Sequence, residues 1–175
     1  MKKRVNNFFY MALIAFSFAS LLTFSAPKQQ MHAASTGKEI VISLSDQMLY
    51  AFEDGDEVYE TYVTTGQPAL PTPTGSFSIF RKQSPMTFYS PWGKNSPYYF
   101  PPTNVSYAME FAGGGYYIHD APWRGEFGPG TNSAHVEEDS GKEMTGSHGC
   151  VNTPVDDAAW LYDWAPIGTP VKVVS

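Results

Sequence analysis

From Lys38 onward the chain is cut into short runs of alternating polar and apolar residues, each ended by proline, glycine or an acidic turn. A period of two puts alternate side chains on one face of a strand, so each run buries half of itself and needs a second layer to cover it. Ile40, Ile42 and Leu44 share one such face, and Met48, Tyr50 and Phe52 share a face of the next run. The sequence Glu53-Asp54-Gly55-Asp56 turns the chain back, Val58 to Thr65 is rich in β-branched and aromatic residues, and Gly75 to Phe80 alternates again. Pro68 to Gly75 holds three prolines, which lack the ladder donor, and reads as loop. Pro85 to Pro102 mixes further prolines with Tyr89, Trp92, Tyr98, Tyr99 and Phe100, which predicts an ordered aromatic loop. Strands are expected at Tyr107 to Phe111 and Tyr116 to His119, joined by Gly113 to Gly115.

One helix interrupts this pattern. Thr153 is a candidate N-cap, Pro154 suits the first helical position and Asp156 completes a capping-box spacing. The helix body runs to about Trp164, Pro166 and Gly168 stop it, and Thr169 to Val174 reads as a closing strand. Many short strands with one late helix predict a mainly β fold, a sandwich or barrel of mixed strands. The 27 aromatic residues supply the large apolar surfaces that such a core needs.

The first 35 residues differ in kind. Lys2, Lys3 and Arg4 precede an uncharged stretch from Phe8 to Phe24 and a small-residue cluster at Ala33 to Ser35, the order expected of a signal peptide or an N-terminal membrane anchor. Export is therefore expected, with residues 36–175 as a single domain. That domain carries seven basic and 17 acidic side chains, a net charge of −10. Its basic residues are scattered apart from the Arg81-Lys82 pair, which disfavours a nucleic-acid partner. Acidic runs such as Glu137 to Asp139 are expected to be solvated turns.

A lone Cys150 in an exported chain has no internal disulfide partner, so chemical employment becomes a leading expectation. It sits in Gly146-Ser147-His148-Gly149-Cys150-Val151-Asn152, just before the expected helix start, where a helix N-terminus and an imidazole would both favour the thiolate. His119, at a strand end, His135 in a polar loop and His148 beside the thiol are the candidate bases. Rigid elements position catalytic groups better than loops, which favours His119. The same four residues also fit a zinc site on composition alone, although structural zinc in exported domains usually draws on tighter paired spacings.

The segment Ser147-His148-Gly149-Cys150-Val151-Asn152, with a histidine upstream, resembles the signature of the L,D-transpeptidase catalytic domain of bacterial cell-wall enzymes. The similarity runs from about Lys38 to Val174 and includes Thr64-Thr65-Gly66, the Pro71 to Gly75 element and the closing Gly-Thr-Pro-Val-Lys-Val-Val. By that resemblance Cys150 is the nucleophile and His119 the base, oriented by the carbonyl of the next residue. The N–H groups of Gly149 and Cys150 would form an oxyanion hole, with Gly149 letting the chain approach the substrate, and Ser147, His148 and Asn152 would support the loop. Asp120 stands where many members have Gly or Ser, and its carboxylate is expected either to charge His119 or to face solvent. Cys150 follows His119 by 31 positions, a longer gap than in compact members; residues 121–144 loop between them and make His135 a loop or lid residue. Trp123 and Arg124 are candidates for substrate binding, Arg124 either through a substrate carboxylate or tied up in an ion pair with Glu126 or Asp120. The implied activity forms 3-3 crosslinks between peptidoglycan stem peptides at the cell wall or the extracytoplasmic membrane face of a bacterium, without metal or other cofactor. The alternatives are L,D-carboxypeptidase action at the same site or a silent wall-binding module.

Overall fold

The computed structural model describes residues 37–175; the expected signal or anchor segment lies outside them. The thirteen strands are β1 (Lys38–Ser43), β2 (Met48–Glu53), β3 (Asp56–Tyr62), β4 (Gly75–Ser78), β5 (Arg81–Gln83), β6 (Met86–Phe88), β7 (Thr103–Val105), β8 (Ala108–Ala112), β9 (Tyr116–Asp120), β10 (His135–Val136), β11 (Glu143–Met144), β12 (Val151–Thr153) and β13 (Pro170–Val174). Among the described residues a single helix, α1 (Val155–Trp164), lies between the last two strands. The fold is the mainly β arrangement of mixed strands with one late helix that the punctuation predicts. Among the described residues no helix is long and apolar enough to cross a membrane.

A five-stranded sheet in the order β3-β2-β1-β13-β4 and a four-stranded sheet in the order β12-β9-β8-β5 both feed one core. The first contributes Ile40, Ile42, Leu49 and Val171, the second Met109, Phe111, Ile118 and Val151, and α1 contributes Leu161. Burying each such side chain is worth about 1.5–3 kcal/mol. Pairing β1 with β2 sets Ile40 opposite Ala51 and Ile42 opposite Leu49, so Leu49 and Ala51 form the covered face of β2. Met48, Tyr50 and Phe52 do share a face, but it is the other, half-covered one. Edge strand β3 carries Asp56, Glu57 and Glu60, charges that discourage further strand pairing.

Three local expectations are corrected. Thr153 does not cap the helix: it pairs with Asp120 in the parallel β12–β9 ladder and its hydroxyl donates to the His119 carbonyl at 3.3 Å, while Pro154 takes the cap position without a side-chain bond. The proline-rich stretch after Pro85 is not all loop, because Met86–Phe88 pairs with Thr103–Val105 and sets Phe88 edge-on to Tyr117, with centroids 5.1 Å apart. Glu137 is buried rather than solvated, accepting bonds from Gly125 N–H at 2.9 Å and Ser140 Oγ at 2.7 Å.

The helix is pinned at both ends. Asp157 in its first turn accepts the Tyr59 hydroxyl at 2.6 Å and the Thr61 hydroxyl, and Tyr59 stacks on Trp160 with centroids 4.0 Å apart. At the C-terminus the Lys82 ammonium donates to the Tyr162 carbonyl and to the Ala165 carbonyl at 2.8 Å, meeting the negative end of the helix dipole.

Candidate active site

Parallel pairing of β12 with β9 places Val151 opposite Ile118 and Asn152 opposite His119. Cys150 therefore enters β12 beside Tyr117, and alternation turns Cys150 and Asn152 to the face that carries Tyr117 and His119. All four line one cavity of about 1290 Å³. A second segment fixes the loop from below: Thr64 N–H donates to the Asn152 carbonyl and Asn152 N–H to the Thr64 carbonyl, both at 2.9 Å. Ser147 N–H donates to the Thr65 carbonyl, also at 2.9 Å. Thr72 Oγ1 accepts from Gly66 N–H and donates to the Gly149 carbonyl, each at 2.9 Å. A Cβ at Gly66 would lie 2.3 Å from the Leu70 carbonyl oxygen, so only glycine admits this crossing.

The His119 ring is 5% exposed and fixed at both nitrogens. Nδ1 bonds the Asp120 carbonyl at 2.8 Å, the orienting contact expected of the residue after the histidine. With Nδ1–H donating there, Nε2 is an acceptor, and Asn152 Nδ2 donates to it at 3.0 Å. Burial pulls the imidazole down to about 4, against the smaller upward pull of Asp120, so the ring is neutral at neutral pH.

Cys150 is half-buried and, like Met86 and Phe88, packs against the cluster of Val105, Ala108 and Tyr117. Its sulfur lies 3.6 Å from the Gly115 carbonyl. Burial raises the thiol to about 11, opposed by a bond from the Tyr117 backbone and reinforced by the Glu110 carboxylate. A thiol at about 11 facing an imidazole at about 4 rests as an uncharged pair. Three residues of β12 separate Cys150 from Pro154, so the helix N-terminus does not follow the thiol directly as the sequence suggested.

Ser147 ties the loop internally: its Oγ accepts from Gly149 N–H at 3.0 Å and donates to the Cys150 carbonyl. The Gly149 N–H is thus occupied. Gly149 itself has φ +107°, and a Cβ there would meet Tyr116 Cε1 at 2.7 Å. Glycine is required here by its backbone and by Tyr116, and Gly149 does not line the cavity. His148 does line it, with its ring against Trp92 and Phe100 at centroid distances of 5.4 and 5.1 Å; burial holds it below its usual value. Trp92, Phe100 and Tyr89 of the aromatic loop are therefore cavity wall.

The Asp120 side chain does not face solvent and makes no bond to the ring; its charge raises the imidazole, by less than burial lowers it. Asp120 is fully buried, and its carboxylate accepts from Ser106 N–H at 2.8 Å and Tyr107 N–H at 2.7 Å, fastening the turn before β8. Arg124 makes no ion pair with Glu126 or Asp120; it donates from Nε to Asn152 Oδ1 at 3.0 Å and from Nη2 to the Thr145 carbonyl at 2.6 Å. Burial lowers it to about 10, leaving it cationic at neutral pH. Trp123 lines the cavity with its ring 6.1 Å from His119. Residues 121–144 are not a bare loop: they fold the two-stranded β10–β11 ribbon, from which His135 also lines the cavity. Among the described residues no group of three His, Cys, Asp or Glu is placed to hold a metal ion. The Asn152 and Arg124 links were not foreseen in detail, because they depend on which strand Asn152 joins.

The family model of the L,D-transpeptidase catalytic domain matches residues 37–173. L,D-transpeptidase 1 of Mycobacterium tuberculosis is 30% identical over 142 residues, covering 77% of this chain and 49% of the relative. The chain thus spans about half the length of that relative. A Cys-to-Ser mutant of the Enterococcus faecium L,D-transpeptidase superposes with TM-score 0.62 at 31% identity, over 80% of this chain and 50% of the other. An L,D-transpeptidase solved in complex with imipenem superposes with TM-score 0.65 at 28% identity, over 79% of this chain and 59% of the other. With its fold, its cysteine loop and the family match in agreement, the chain belongs to the L,D-transpeptidase catalytic-domain family.

Proposed function

We propose that this chain is an exported L,D-transpeptidase that joins peptidoglycan stem peptides through a thioester on Cys150. The observation that carries the reading is the adjacency of β9 and β12, which turns Cys150, His119 and Asn152 into one cavity. The basic and apolar start of the chain supports export, by cleaved signal or retained anchor.

In this mechanism the Cys150 sulfur attacks the carbonyl of the third stem residue and its proton passes to His119 Nε2. A neutral resting pair makes proton transfer part of the attack rather than a step before it. Receiving the proton requires Asn152 Nδ2 to release Nε2, while Asn152 Oδ1 stays held by Arg124. The Cys150 N–H is the donor left for the oxyanion, worth about 3–4 kcal/mol in comparable sites, because Ser147 takes the Gly149 N–H. Collapse breaks the bond to the terminal D-Ala, whose amine leaves with the proton from His119. The side-chain amine of a second stem then attacks the thioester, yields its proton to His119 and regenerates the thiol, giving a 3-3 crosslink. No metal or cofactor takes part.

The test is incubation of the purified domain with a tetrapeptide stem. D-Ala release with a crosslinked dimer, absent in Cys150→Ala, supports the proposal; D-Ala release with tripeptide alone assigns L,D-carboxypeptidase action, and binding without release assigns a wall-binding module.

A further inference from the structure

We infer that Arg124, together with His135 of the β10–β11 ribbon, forms a subsite for the terminal carboxylate of the donor stem; this rests on the L,D-transpeptidase reading above. Among the described residues two buried side-chain nitrogens lack a hydrogen-bond partner, Arg124 Nη1 and His135 Nε2, and both residues line the same cavity. A buried polar nitrogen without a partner costs free energy until a ligand meets it; Arg124 Nη1 is a donor, and His135 Nε2, with Nδ1–H given to Ser133, becomes one only in the ring form that carries both protons. The other nitrogens of both groups are spent on neutral acceptors. Arg124 bonds Asn152 Oδ1 and the Thr145 carbonyl, and His135 Nδ1 bonds the Ser133 carbonyl at 2.8 Å.

No carboxylate of the described residues lies within ion-pair distance of the guanidinium; buried Glu137 acts on it from further off, opposing part of the effect of burial. The ion pairs among the described residues are Lys38–Glu53 and Arg81–Glu110, and Arg124 belongs to neither. Lys142 adds a second cation to the lining, its Nζ donating to the Trp123 carbonyl at 3.1 Å, and Glu143 is the one acid there. In a domain of net charge −10 the cavity lining still holds two cations against one acid, which favours an anionic ligand.

Placement selects which carboxylate is read. Arg124 Nε reaches Asn152 Oδ1 at 3.0 Å, and Asn152 Nδ2 reaches His119 Nε2 at 3.0 Å, so the guanidinium stands two hydrogen bonds from the ring that handles the proton. One extended residue spans about 3.3–3.6 Å, the separation between the scissile carbonyl and a C-terminal carboxylate one residue beyond it. Arg124 Nη1 donates to that carboxylate, and a bound anion beside His135 Nε2 favours the doubly protonated ring that adds a second donor. Two residue pairs hold the ribbon, His135 with Met144 and Val136 with Glu143, so a small displacement admits the ligand. The subsite restricts cleavage to the last residue of a stem.

The probes are one tetrapeptide stem with a free C-terminal carboxylate and the same peptide as its C-terminal amide. Wild type is expected to favour the acid by about ten- to hundredfold in kcat/KM. Arg124→Gln should bring that ratio to within about threefold of unity, with Arg124→Lys intermediate and His135→Gln showing a smaller fall. Thermal unfolding identifies variants that have not folded, and His135→Gln on the ribbon is the second route if Arg124→Gln has not. Equilibrium binding of both peptides to Cys150→Ala reads the subsite without chemistry. Equal binding of acid and amide, or an Arg124→Gln variant that weakens both in proportion, overturns the subsite. Absence of turnover in wild type with preserved acid preference in binding overturns the transpeptidase reading and leaves the subsite standing.

Discussion

Asn152 donates from Nδ2 to His119 Nε2 at 3.0 Å while its Oδ1 accepts from Arg124 Nε at the same distance, so one amide bridges the imidazole and the buried guanidinium. An amide can do this because it carries a donor and an acceptor on one planar group. Asn152→Asp keeps the acceptor for Arg124 and removes the donor to Nε2. The new carboxylate favours protonation of His119, and a protonated ring accepts nothing from the thiol. Turnover at neutral pH is expected to fall about tenfold or more, with the acidic limb of the pH–rate profile moved upward. An unmoved limb refutes the bridge.

The resting charges make stability depend on pH in two windows. His119 lies at about 4 against an ordinary 6.5, so between those values the unfolded chain binds the extra proton and stability is lost as pH falls. The gap corresponds to about 3 kcal/mol. The thiol lies at about 11 against 9, so the unfolded chain ionises first and stability is lost as pH rises above 9. Unfolding midpoints followed across pH should lose part of their acid slope in His119→Gln and part of their alkaline slope in Cys150→Ala. Identical slopes in wild type and variants would contradict the buried neutral pair.

Asp120→Asn separates structure from chemistry. The carboxylate holds Ser106 and Tyr107 N–H, and hydrogen bonds to a charged group are worth about 1.5–3 kcal/mol. The ring is held by the Asp120 backbone carbonyl, which the substitution leaves in place. A fall in stability of that size, with turnover reduced less than about threefold in folded protein, is expected. Tenfold loss of turnover without loss of stability would return the side chain to the ring.

Gly149→Ala should cost about 1–3 kcal/mol for a residue at φ +107°, and more for the collision with Tyr116. A double-mutant cycle with Tyr116→Ala separates the two terms, since the second substitution removes the collision and not the backbone strain. Additive losses would show that Tyr116 does not set the requirement for glycine.

Much of this was readable because period-two patterns and turn residues act locally. Ile40 and Ile42 announce a covered strand, Pro166 and Gly168 end the helix, and Cys150 declares itself by lacking a disulfide partner. What escaped depends on partners distant in the chain. Thr153 looks like a cap until β9 offers it a ladder and the His119 carbonyl. The Asp120 carboxylate looks free to bind His119 until the turn at Ser106 claims its oxygens, leaving only its charge to act on the ring. Glu137 sits in an acidic run that reads as solvated, yet Gly125 and Ser140 close around it. Residues 121–144 show no strand pattern because two-residue strands are too short to carry a period.

Rapid quench of the domain with a tetrapeptide stem, followed by intact-mass and peptide mapping, tests the central claim most directly. The account predicts a transient tripeptide acyl group on Cys150, formed with release of one D-Ala and absent from Cys150→Ala. Release of D-Ala at the same rate from Cys150→Ala, or an acyl group carried by another residue, would contradict it.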